Sequence, residues 1–112
     1  MKIISDPTAL ELLWKNREST FEEMIKIVVD IKLERIGIDA EMHADIEQIL
    51  LNEGSEQQYL WGANIYPLRE ENERLEYTSL INIRPATGNR SMEVQNPDTR
   101  FRIKEIVNKY LI

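Results

Sequence analysis

The residues best suited to chemistry fall in two polar stretches. The first is 79–91, Ser-Leu-Ile-Asn-Ile-Arg-Pro-Ala-Thr-Gly-Asn-Arg-Ser, where an apolar alternation runs into a loop carrying Arg84, Asn89 and Arg90. Two guanidinium groups beside a glycine-containing loop with open backbone N–H groups can hold a carboxylate or a phosphate. Asn82, Arg84, Asn89, Arg90 and Ser91 are therefore candidate ligand-binding residues. A purely structural reading gives Arg84 an acidic neighbour, makes Gly88-Asn89 a turn and lets Ser91 tie it down. A phosphate-binding P-loop needs more glycine and a following lysine, and this stretch has neither.

The second stretch is Asp39, Glu41, His43 and Asp45. Alternate residues of a strand point the same way, so Glu41, His43 and Asp45 would project from one face. An imidazole among carboxylates can bind a divalent metal or act as a general base oriented by an acid. His43 is the only histidine, which excludes a two-histidine metal site within one chain, and no metal or other cofactor is assigned. The plainer reading is a solvated strand face, with Asp45 capping the helix that follows. The catalytic set this stretch allows is His43 as base, Glu41 as its orienting acid, and Arg84 and Arg90 stabilising developing negative charge. Asp45 joins the ligand-binding candidates.

A third feature is an echo, Asn64-Ile65-Tyr66-Pro67 and Asn82-Ile83-Arg84-Pro85. Proline lacks the donor a ladder needs, so each run reads as a strand end. In one hairpin, Asn64 would pair near Glu76 and Asn82 near Gln58.

Composition frames these candidates. The chain has 112 residues, 42% hydrophobic and 30% charged, with a net charge of -6 and no cysteine. That fits one globular domain over 1–112, without disulfides or thiolate chemistry. The acidic balance disfavours unspecific attraction to nucleic acid or to an anionic membrane surface. No apolar run is long enough to cross a bilayer, and residues 1–7 do not read as a secretory signal, so a cytoplasmic location is the expectation.

The elements that must position the candidates follow from periodicity. Asp6 as N-cap and Pro7 at the first position predict a helix with Ala9, Leu10, Leu13 and Trp14 on one face, ending near Asn16. Ser19 and Thr20 stand at capping-box spacing from Glu22 and Glu23 and suggest a further helical turn. From Ile25 to Leu33 the odd positions are apolar, and from Ile36 to Met42 the even ones are. That phase switch predicts a hairpin turning at Glu34-Arg35, with Leu33 facing Ile36, Ile31 facing Ile38 and Val29 facing Ala40. Glu-Arg is poor chemistry for a tight primed turn, which leaves room for a longer loop. One long helix from Thr20 is the rival, and the length of the alternation favours strands. A helix over 45–53 ends at Gly54. Strands over 59–66 and 74–84, joined by 68–73, form a second hairpin. Asn96 caps and Pro97 opens a last helix with Ile103, Ile106, Val107, Tyr110 and Leu111 on one face. The expected fold is α+β, a four-stranded antiparallel sheet of two hairpins with three helices packed mainly on one face. In that order His43 and Asp45 would approach Asn82, Arg84 and the 88–91 loop.

His43-Ala44-Asp45, the run Leu60-Trp61-Gly62-Ala63-Asn64-Ile65-Tyr66-Pro67, and Ile81-Asn82-Ile83-Arg84-Pro85 through Gly88-Asn89-Arg90-Ser91 together resemble a family of small single-domain bacterial and archaeal proteins, catalogued only as a domain of unknown function. The resemblance spans Met24 to the last helix. The chain departs from the family at Gly62-Ala63, where a larger apolar residue is usual after the glycine, and at Ile38-Asp39-Ala40, where glycine is favoured. It implies a compact cytoplasmic domain and brings no activity, substrate or cofactor.

Three functions compete on the residues. The leading one is a binding module holding an anionic ligand or a partner's acidic group at the His43/Arg84/Arg90 end. A phosphodiester or ester hydrolase with His43 as base requires His43 within hydrogen-bonding reach of the arginines. A structural homodimer or protein-interaction domain would leave Trp14, Trp61 or Tyr110 uncovered.

Overall fold

Alternating apolar residues build the centre of the structure, a computed structural model that describes residues 1–112. In chain order the elements are β1 (Lys2–Ile4), α1 (Leu10–Lys15), β2 (Ile25–Asp30), β3 (Arg35–Ile38), α2 (His43–Asn52), β4 (Leu60–Ile65), β5 (Leu75–Glu76) and α3 (Pro97–Tyr110). The strands form one antiparallel sheet in the order β1-β3-β2-β4-β5. No helix is long and apolar enough to cross a membrane.

The sheet is covered on both faces. Ile25, Ile27, Val29, Ile36, Ile38, Trp61, Ala63 and Ile65 pack with α1 and α3 in a cluster of 17 buried residues. Val28 and Leu60 point the other way and meet Ile46 and Leu50 of α2 in a cluster of only four. Val28, the one break in the alternation of β2, is thus the residue that seats α2. Each fully buried aliphatic side chain contributes about 1.5–3 kcal/mol, so α2 is held by far less apolar burial than α1 and α3. Gly37 lets α2 come close, since a Cβ there would collide with Ile46. Polar ties add to the holding. Arg35 Nη2 donates to the Glu53 carbonyl and to Ser55 Oγ, and the fully buried Asp30 accepts from Ser55 Oγ at 2.6 Å.

Several sequence expectations are corrected. The sheet has five strands rather than four, because Lys2–Ile4 pairs with β3 through Lys2↔Ile38 and Ile4↔Ile36. Helices lie on both faces rather than mainly on one. The first helix begins at Leu10 without help from Asp6 or Pro7. Thr8 is instead extended, with its N–H on the Tyr110 carbonyl and its own carbonyl accepting from Ile112. The predicted end at Asn16 is observed. Ser19 and Thr20 cap no helix, since the N–H groups of Glu18 and Ser19 go to the Asp39 carboxylate and that of Thr20 goes to Glu41.

The first hairpin turns earlier than its phase switch suggested. Asp30 closes β2 by accepting from the N–H groups of Lys32 and Leu33, and Glu34 takes a left-handed φ of 53°. Val29 then pairs with Ile36 and Ile27 with Ile38. The slip is an even number of residues, so side chains within β2 and β3 keep their predicted faces, whereas Ala40, beyond the end of β3, packs on the α2 side. The longer correction concerns 74–84. Only Leu75–Glu76 is strand, and 3-10 turns at Leu80–Asn82 and Pro85–Thr87 follow. Asn64 does pair with Glu76, but Asn82 lies beside Gly62 rather than Gln58. The last helix, its Asn96 cap and its buried face are as expected.

Candidate functional site

The two polar stretches do not merge into one cluster. β3 ends at Ile38 and Asp39 turns with a φ of 76°, so Asp39, Glu41, His43 and Asp45 share no strand face. Asp39 accepts from the Glu18 and Ser19 N–H groups at 2.8 and 3.0 Å. Burial pushes its carboxyl upward, and those hydrogen bonds more than offset it, holding the group below the usual carboxylate range. Glu41 accepts from the Thr20 N–H and hydroxyl, a role that ties the 18–20 segment down. Asp45 is exposed in the first turn of α2, where its charge complements the helix dipole. No group of His, Asp and Glu side chains is arranged to hold a metal ion.

In the second stretch, Asn82, Asn89 and Arg84 are engaged within the chain. Asn82 is fully buried, and its amide bonds both backbone groups of Gly62 and also the Met92 carbonyl. Asn89 Nδ2 is shared among the carbonyls of Asn82, Ser91 and Glu93, while its Oδ1 accepts the Gln95 N–H. Arg84 Nη2 lies 3.4 Å from Glu47 of α2 and donates to the Leu60 carbonyl. Burial pushes this guanidinium downward and Glu47 pulls it back. Its Nε and Nη1 find no acceptor, and the group stacks 5.0 Å over the Trp61 ring. Ser91 Oγ accepts from the Glu93 N–H. Arg90 is exposed and its guanidinium makes no ion pair, although its backbone N–H donates to Gln95.

His43 sits elsewhere, as the first residue of α2. Its Nε2 is 2.8 Å from the Ala63 carbonyl. A carbonyl can only accept, so Nε2 carries the proton and Nδ1 carries the lone pair. Burial pushes the imidazole pKa down and Lys26 adds to this, while the Ala63 carbonyl and the nearby Asn64 carboxamide pull the other way. His43 is therefore neutral at pH 7, and its ring bonds to neither Arg84 nor Arg90.

What does gather around His43 is a cleft of about 350 Å³ between the start of α2, the start of β2, the end of β4 and residues 78–81. Its floor is a cross-strand pair, Lys26 and Asn64. Three of the four methionines, Met24, Met42 and Met92, line it with Leu80 and Ile81. Met42 (57%), Leu80 (70%) and Met92 (42%) stay well exposed, so the rim is an open apolar surface. Methionine is common at such surfaces because its flexible thioether adapts to shape. The helix start on this cleft has no side-chain cap, and the N–H groups of His43 and Ala44 have no acceptor in the chain. Lys26 makes no ion pair and stacks 5.0 Å from the Phe21 ring. Gly62 brings the opposite wall in, because a Cβ there would stand 2.6 Å from Ser79 Oγ.

The expected approach of His43 and Asp45 to Asn82, Arg84 and the 88–91 loop does not occur in the cleft, where His43 instead meets Ser79–Ile81, and Asp45, Asn82, Arg84, Asn89, Arg90 and Ser91 do not line it. Lys26, Ser79 and the methionines went unnoticed as site residues. Nothing in the sequence marks them, because the pairing of Lys26 with Asn64 and the uncapped helix start at Met42 are set by the fold.

The family model described as protein of unknown function, DUF5674, matches residues 2–110. The chain belongs to the DUF5674 family. Its match covers β1 and α1 as well as the cleft, beyond the Met24 start of the motif resemblance. Comparison with the curated proteins and with the solved structures returned no match.

Proposed function

We propose that this DUF5674 member is a binding module for a small anionic ligand with an apolar body, seated in the cleft at the start of α2. The observation that carries the reading is the pairing of two features in one place. An uncapped helix start and an unpaired Lys26 offer positive potential, and Met24, Met42, Leu80, Ile81 and Met92 offer apolar contact beside it. A volume of about 350 Å³ is at the small end of the range for small-molecule pockets. This keeps His43 from the sequence reading and replaces Arg84 and Arg90 with Lys26 and backbone N–H groups. His43 serves as wall and as anchor of α2 on β4 rather than as a base. The hydrolase reading gains nothing from the geometry, since Nε2 is committed to Ala63 and no arginine bonds the ring.

A panel of 4-methylpentanoate, acetate and inorganic phosphate in a nitrogen-15 amide titration tests the reading. Saturable shifts at His43, Ala44, Asn64 and Ile81 with 4-methylpentanoate, weak with acetate and reduced in Lys26→Gln, are expected. Shifts confined to residues 84–91 with phosphate would move the site to the arginine loop.

A further inference from the structure

Resting on that cleft reading, we infer that the ligand is an aliphatic carboxylic acid with a neutral hydrogen-bond donor on the carbon next to its carboxylate, the chemistry shared by 2-hydroxy acids and N-acyl amino acids. Asn64 supplies the acceptor. Its Nδ2 donates to Glu76 Oε1 at 2.8 Å, and a carboxylate only accepts, so the orientation of the amide is fixed. Its Oδ1 is then a defined acceptor. That oxygen is buried, in a residue only 7% exposed, and no donor in the chain bonds it. Buried acceptors are nearly always satisfied, and each exception calls for a partner.

His43 could supply one only as a doubly protonated ring, since its single N–H at neutral pH is on the Ala63 carbonyl and burial disfavours the charged form. Lys26 and Asn64 are direct cross-strand partners, so their Cα atoms are about 5 Å apart. The cleft therefore carries one unsatisfied acceptor, a cation on the paired strand and two unpaired helix N–H groups. A ligand matching this has a donor within one or two bonds of its anionic group.

Charge decides which donor. No carboxylate lines the cleft, and Glu76 already accepts from Asn64 and Tyr66. An ammonium at Asn64 would sit beside Lys26 and the positive start of α2, and the carboxylate of Glu76 lies across the Asn64 amide rather than in the cleft lining, so a hydroxyl or an amide N–H fits better than a free α-amino group. The methionine and isoleucine walls take the aliphatic side chain.

The test is calorimetric titration of the whole protein with four ligands sharing an isobutyl group: 4-methylpentanoate, 2-hydroxy-4-methylpentanoate, N-acetyl-leucine and leucine. We expect at least one of the two neutral-donor ligands to bind about tenfold or more tighter than 4-methylpentanoate, with leucine no better than 4-methylpentanoate. In Asn64→Ala that advantage should shrink to about twofold or less. The ligand series on the unaltered protein stands even if Asn64→Ala does not fold. Equal binding of 4-methylpentanoate and both donor-bearing acids, leucine binding tightest, or an advantage that survives Asn64→Ala would each overturn the inference while leaving the cleft as a site. No binding by any of the four would overturn the inference and the cleft reading together.

Discussion

The side-chain amide of Asn82 accepts the Gly62 N–H at 2.8 Å and donates to the Gly62 carbonyl at 2.9 Å. This is the pair of bonds a neighbouring strand would make, and it falls where β5 has already ended. One side chain thus replaces a stretch of edge strand and fixes the segment that walls the cleft. Asn82→Ala leaves two backbone groups of Gly62 without partners, and such losses cost about 1–3 kcal/mol each. We expect urea denaturation to show a loss of about 3 kcal/mol, and a loss below about 0.5 kcal/mol would mean the Gly62 bonds are not needed.

Gly62 itself holds the cleft wall close. A methyl group there would press on Ser79, whose side chain is buried, and overpacking of this kind costs about 1–3 kcal/mol. Gly62→Ala should therefore lower the melting temperature and shift the amide signals of Ser79 and Leu80. A variant as stable as the parent, with those signals unmoved, would show that the wall yields freely.

Two arginines that look alike in sequence should behave oppositely. Arg84 and Glu47 are mostly buried, with side chains 12% and 13% exposed, and losing one partner strands the other. Removing one member of a buried pair costs about 3–5 kcal/mol, and some residual exposure puts Arg84→Ala at about 2–4 kcal/mol. Arg90 is exposed and unpaired, so Arg90→Ala should change stability by less than about 0.5 kcal/mol. Denaturation of the two variants side by side checks this, and equal losses would contradict it.

The pH dependence follows from His43. Burial lowers its pKa in the folded protein, so on acidification the unfolded chain takes up the proton first. More protons on the unfolded state means that stability rises with pH across that interval. The contribution is complete above the unfolded value of about 6.5 and is lost as pH falls from there through the lowered folded pKa. Asp39, also lowered, adds a separate loss that begins only near the usual carboxylate value of about 3.9. Stability curves of the parent and of His43→Gln should therefore diverge in slope just below pH 6.5, with the variant flatter. Parallel curves through pH 6.5 to 5 would contradict the assignment of a neutral, buried His43.

Much of this architecture was legible in the chain. Period-two alternation located β2, β3 and β4 and assigned each side chain to its face, because a slip of even length leaves faces unchanged. Asn96, Pro97 and the spacing of Ile103, Ile106, Val107 and Tyr110 defined α3 completely. What stayed hidden depends on contacts distant in sequence. Lys2–Ile4 is too short to show a period, and it becomes a strand only because β3 offers it an edge. Residues 79–83 alternate as a strand would, but the Asn82 amide takes the ladder position and the backbone turns away. Of the cleft, the sequence marked only His43. Its neighbours at 79–81, and Lys26 and Asn64 beneath them, are brought together by the placement of α2 and the turn at Leu80–Asn82.

The start of α2, Lys26 and the methionine rim are proposed to bind a small aliphatic carboxylate. The most direct measurement is a nitrogen-15 amide titration with 2-hydroxy-4-methylpentanoate at neutral pH, in the parent and in Lys26→Gln. Saturable shifts are expected to cluster at His43, Ala44, Asn64 and Ile81, with binding weakened about tenfold in Lys26→Gln, in keeping with a charge-assisted contact. No shifts at millimolar ligand, or shifts scattered away from the cleft and equal in both proteins, would contradict it.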